Sequence, residues 1–87
     1  MALTIGLVHS LSTGAAGGTV IEACAHIGPA PGRVEIMALT RQVSEPARMD
    51  AFKVSMLNLL IQAFASGREV VVGHEDSDAY ILSVELR

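Results

Sequence analysis

Runs and alternations of apolar positions divide the chain into six predicted elements, one helical and five extended. The helix is residues 44–67, SEPARMDAFKVSMLNLLIQAFASG, where apolar residues recur with the helical period. At about 100° per residue, Met49, Phe52, Met56, Leu57, Leu59, Leu60, Ile61, Ala63 and Phe64 spread over roughly 200° of the surface, twice the ordinary apolar stripe. Arg48, Ser55, Asn58, Gln62 and Ser66 fill most of the remainder, with Asp50 and Lys53 at or within the apolar arc. Ser44 is a suitable N-cap, Glu45 meets the positive end of the helix dipole and Pro46 needs no amide partner in the first turn. Gly67 offers the left-handed conformation that ends a helix.

The extended segments alternate with period two. Residues 2–11 form an aliphatic run with a bend expected at Gly6, and the small residues 12–18 predict a flexible turn with Gly17-Gly18 as its hairpin signal. In residues 19–27, Ile21, Ala23, Ala25 and Ile27 form a core face opposite Val20, Glu22, Cys24 and His26. Gly28 to Gly32, with two prolines, predicts a rigid loop before a strand at residues 33–40, in which Val34, Ile36, Ala38 and Thr40 alternate with Arg33, Glu35, Met37 and Leu39. Strands at residues 68–73 and 78–87 are joined across His74, Glu75, Asp76 and Ser77. In the last, Tyr80, Leu82, Val84 and Leu86 oppose Ile81, Ser83, Glu85 and Arg87.

The order β-β-β-α-β-β, with one helix between the third and fourth of five strands, predicts a mainly β single domain over residues 1–87. Its expected architecture is an OB-fold-like, five-stranded Greek-key barrel. An open α+β sheet crossed by one helix is the alternative.

Composition sharpens this picture. Hydrophobic residues make up 51% of the chain, yet it has two Phe, one Tyr and no Trp, so its core must be aliphatic. A domain of 87 residues buries only about 60 to 65% of its unfolded surface, so an apolar chain of this size is expected to share surface with a partner. A helix of about 33 Å would also overrun strands of about 20 Å. Both arguments predict self-association, with Met49, Phe52, Met56, Leu57 and Leu60 at the interface between subunits.

The net charge of −3 and the lack of any basic cluster argue against nucleic-acid binding, which needs a basic groove and stacking aromatics. No run of about 20 apolar residues is present, so membrane insertion is not expected. Cys24, as a lone cysteine, makes no internal disulfide and has no paired base in the sequence to make it a nucleophile. His9, His26 and His74 fall in three different elements, so catalytic and metal roles are not expected of them. The run from His74 to Asp78 is acidic but lacks the spacing of a calcium loop. No cofactor fingerprint occurs. The remaining ligand-binding candidates are Ser12, Thr13 and Arg33, polar residues in predicted loops and strand ends, where hydroxyl-rich rims suit sugar hydroxyls.

AFKVSMLNLLIQAFASGREVVV, followed by a turn and YILSVEL, resembles the helix and last two strands of the pentameric binding (B) subunits of bacterial A–B toxins, of the pertussis and subtilase cytotoxin kind. The features carrying it are Leu59-Leu60 within a wide apolar arc, the exit Ser66-Gly67, the Val-rich strand after it and the closing Ile81-Leu82-Ser83-Val84. The resemblance covers about residues 33–87. It implies a non-enzymatic ring of five barrels with helices around a central pore, Ser55, Asn58, Gln62 and Ser66 facing that pore, cell-surface glycans as ligands and an A-type subunit as partner. Such a chain would be secreted; a complete chain as given would be cytoplasmic. The alternative reading is a cytosolic structural homo-oligomer, or a protein-interaction ring, without sugar affinity.

Overall fold

The computed structural model describes residues 2–16, 19–42 and 47–87, and their side chains outside residues 15–22 and 41–50. Five strands and one helix follow in the order β1 (Ala2–Ala16), β2 (Thr19–Ala30), β3 (Arg33–Gln42), α1 (Ala47–Ser66), β4 (Glu69–His74) and β5 (Ile81–Leu86). The strands form one antiparallel sheet ordered β3-β2-β1-β4-β5. The sheet curls until its two edge strands meet. There the Ala38 N–H donates to the Ala79 carbonyl at 2.9 Å, beside a single parallel bridge from Ala38 to Tyr80. Among the described residues nothing else bridges β3 and β5, so the barrel is curled but not closed.

β1 and β2 are longer than their sequences suggest. Ser12, Thr13 and Gly14 were expected in a turn, but they continue β1, because pairing with β2 extends to Ala16 opposite Thr19, with a register shift at Thr13. Only Gly17 and Gly18 separate those two residues, and they lie outside the described residues, as do Ser44, Glu45 and Pro46 of the expected helix start. Gly28, Pro29 and Ala30 likewise belong to β2, leaving the turn to Pro31 and Gly32. β1 and β2 hold 15 and 12 residues, so the helix, at 20 residues and about 30 Å, does not overrun its sheet. The length mismatch therefore offers no support for self-association.

The core consists of Val8, Ala23, Ala25, Ile27, Met37, Leu39, Met56, Leu60, Ala63, Val70, Val72 and Ile81, entirely aliphatic or thioether. On β2 the inward residues are the expected Ala23, Ala25 and Ile27. On β3 the inward set is Met37 and Leu39, although Val34 and Ile36 on the other face are the stronger strand formers. Along β5 the expected faces do not hold throughout. Gly73 pairs with Ser83 but His74 with Ile81, so Leu82 is an extra residue that shifts the alternation. Ile81, Val84 and Leu86 consequently all turn toward the core while Leu82 is exposed. A register shift between Val8 and Ser10 does the same on β1.

α1 buries Met56, Leu60 and Ala63, spaced i, i+4, i+7, against the sheet. It ends at Gly67, whose φ of 68° places it in the left-handed region and whose N–H closes on the Ala63 carbonyl at 3.0 Å.

Candidate functional site

The β2–β3 hairpin is held against β1 by two glycines. A Cβ on Gly6 would stand 2.6 Å from the Gly28 carbonyl carbon, and one on Gly28 would stand 2.0 Å from the Arg33 carbonyl oxygen. Three backbones thus converge where only hydrogen can fit, and beyond this pinch, toward the start of β1, β1 and β2 part. β1 pairs with β2 from Leu7 onward, whereas Ala2 to Gly6 pair with β4 alone. The result is an open groove of about 380 Å³ between Leu3, Thr4 and Ile5 of β1 and the hairpin, where Pro29, Arg33, Val34 and Glu35 line it.

Alternation along β3 explains the groove's polarity. Arg33 and Glu35 share a face with Met37 and Leu39, so the inward row of β3 changes from apolar to charged as it leaves the core. Glu35 reaches across to β1, where the Thr4 hydroxyl donates to its Oε2 at 2.7 Å. The same Thr4 oxygen lies 2.9 Å from His74 Nε2. Because the hydroxyl's one hydrogen goes to Glu35, the oxygen accepts from His74, a tautomer assigned from the hydrogen-bond network. His74 Nδ1 faces the carbonyls of Glu75 and Asp78 at 2.8 and 3.1 Å. Thr4 and His74 are the buried polar side chains among the described residues, and this network ties β3, β1, β4 and the β4–β5 turn together. A neutral ring has one N–H, so with it on Nε2 toward Thr4, Nδ1 has no hydrogen to give the two carbonyls.

The sequence candidates are not gathered here. Arg33 lines the groove and has no ion pair among the described residues, but Ser12 and Thr13 lie elsewhere. Ser12 pairs with Cys24 while Arg33 pairs with Ala30. The six residue steps of β2 from Cys24 to Ala30 span about 20 Å. A joint Ser12, Thr13 and Arg33 site is therefore corrected to a groove containing Arg33, with Thr4 and Glu35 as the residues that sequence reasoning missed. Thr4 sits in an aliphatic run and Glu35 in an ordinary alternation, so neither carried a motif.

The other two histidines have separate partners: His9 Nε2 meets the Gly28 carbonyl at 2.9 Å, and His26 Nδ1 meets the Ser10 hydroxyl at 2.5 Å. Among the described residues no group of three or more His, Cys, Asp or Glu is placed to hold a metal ion, and no helix is long and apolar enough to cross a membrane.

The helix surface is the second feature. Met56 and Leu60, expected between subunits, are 4% and 0% exposed because they pack on their own sheet, so the interface reading is corrected for both. Leu57 is half-buried against the core, and the side chain of Met49 lies outside the described set. Phe52, Val54, Ile61 and Phe64 instead keep 47% to 50% of their surface exposed. Ser55, Asn58, Gln62 and Ser66 are exposed as well, with the two serine hydroxyls donating back to the carbonyls of Ala51 and Gln62.

At about 100° per residue these groups fall into four sectors. The buried arc is followed by Phe64, Leu57, Ile61 and Val54, then by the polar strip, then by Leu59 and Phe52, which lead back to the buried arc. The polar strip thus has an apolar flank on each side. No protein-family model, no curated protein and no solved structure matches the chain.

Proposed function

We propose that this chain is a non-enzymatic, ring-forming binding module whose subunits associate head to tail through α1. The observation that carries the reading is the polar strip Ser55, Asn58, Gln62 and Ser66 lying between two exposed apolar flanks. Four large apolar side chains on one helix, each about half exposed, are more than an isolated small domain ordinarily leaves to water. The flanks differ from each other, so the contact they favour is heterologous: Phe64, Leu57, Ile61 and Val54 of one subunit against Leu59 and Phe52 of the next. A heterologous contact that closes makes a ring. Such a ring turns every polar strip toward its axis, and full burial of each large apolar side chain contributes about 1.5 to 3 kcal/mol.

The resemblance to toxin B subunits adds a ring size of five, glycans as ligands and an A-type partner to this reading. A structural or protein-interaction ring without sugar affinity is the competing one.

Ile61→Asp tests the assembly, because Ile61 is exposed in the subunit and its replacement leaves the core intact. The variant is expected to lower the particle mass to that of one chain while the far-ultraviolet circular dichroism stays unchanged. A particle of unaltered mass would remove α1 from the interface. A glycan array probed with the assembled protein separates the two ligand readings.

A further inference from the structure

We propose that the groove beside β1 binds an extended peptide segment, which adds as a strand to the free edge of residues 2–6 and places one carboxylate against Arg33. The inference concerns a single subunit and does not depend on ring formation. Its first support is the main chain. In an antiparallel ladder successive residues point their N–H and C=O groups to alternate sides. Ala2 to Gly6 pair with β4 on one side, and β2 joins β1 only at Leu7. Every second residue of this stretch therefore turns a donor and an acceptor into the groove, where no backbone partner exists among the described residues. Edge groups of this kind are the template that strand addition uses.

The side chains set the chemistry of the occupant. Leu3 and Ile5 are exposed beside the edge and Val34 stands across from them, so alternate apolar side chains on the incoming segment would be covered. Arg33 is the groove's cation, and as it has no ion pair among the described residues it suits a carboxylate. Glu35 lies two positions along the same face of β3, at about 7 Å, where its carboxylate accepts from Thr4. It opposes a second carboxylate, as does the chain's net charge of −3. The fitting ligand is thus a segment of about four or five residues with alternating apolar positions and a single acidic one.

The test is selection of displayed random octapeptides on the full chain, followed by titration of the enriched peptides, made synthetically, against wild type and Arg33→Ala. Arg33 is exposed, so the variant is expected to keep the unfolding midpoint of wild type. The proposal predicts enriched sequences with the stated pattern and at least a tenfold rise in Kd for Arg33→Ala. It also predicts loss of binding when alternate backbone amides are N-methylated in one phase but not in the other. No enrichment, or binding indifferent to N-methylation in both phases, would overturn it. So would hydrogen-exchange protection of the Leu3 to Ile5 amides that rises with protein concentration alone, since the edge would then be occupied by another copy of the chain.

Discussion

Gly28 lies so close to Arg33 that a methyl group on its Cα would stand 2.0 Å from the Arg33 carbonyl oxygen. The obstacle is backbone, which cannot swing aside as a flexible side chain would. Gly28→Ala is therefore expected to cost at least about 2 kcal/mol, by forcing the hairpin away from β1. Gly14, with nothing within 4 Å of an added Cβ, is the control, and Gly14→Ala is expected to stay within about 0.5 kcal/mol of wild type. Urea unfolding of the two variants makes the comparison. Equal losses would mean that the pinch does not hold the groove open.

Thr4 joins Glu35 to His74 through one hydroxyl. Replacement by Val preserves the shape but removes the partner of His74, which is buried, and of Glu35, which can turn to water. The expected loss is about 1 to 3 kcal/mol, most of it from the stranded ring nitrogen. Thr4→Ser keeps the hydroxyl and is expected to lose less than half as much. Unfolding curves on which Val and Ser are equally costly would contradict the network.

Leu60 and Phe64 occupy one helix but different sectors. In the dissociated subunit Leu60→Ala is expected to cost about 2 to 5 kcal/mol, since Leu60 is fully buried. Phe64→Ala should change that stability little and weaken assembly instead. Unfolding at concentrations below the assembly threshold distinguishes the effects, and a large loss for Phe64→Ala would place it in the subunit core.

Gly67 ends α1 at a φ of 68°. A side chain there is strained even though space is open, so Gly67→Ala is expected to cost about 1 kcal/mol and Gly67→Asn less, because Asn tolerates the left-handed region. The thermal midpoints of the two variants check the order.

The element order, the helix with its Gly67 stop and the inward Ala23, Ala25 and Ile27 were all legible in the sequence, because local period and turn chemistry decide them. Strand length was not. Whether Ser12, Thr13 and Gly14 continue a strand depends on the partner opposite, which the local pattern does not contain. The core face of β3 was ambiguous for a similar reason. Arg33 and Glu35 are charged, yet they continue the row of Met37 and Leu39 because that row leaves the core before it reaches them. The division of the helix arc between Met56 and Leu60 inside and Phe52 and Ile61 outside needs the position of the sheet. The groove combines residues from three strands around a close approach of Gly6 and Gly28, and no spacing within the sequence joins them.

Self-assembly through α1 is the central claim, and the mass of the native particle tests it most directly. Light scattering on the eluting wild-type chain at micromolar concentration is expected to give a discrete multiple of the 9.1 kDa subunit, five if the ring is of the toxin B kind. A dimer or hexamer would reject the five-membered ring but retain assembly. A 9.1 kDa particle would contradict the account.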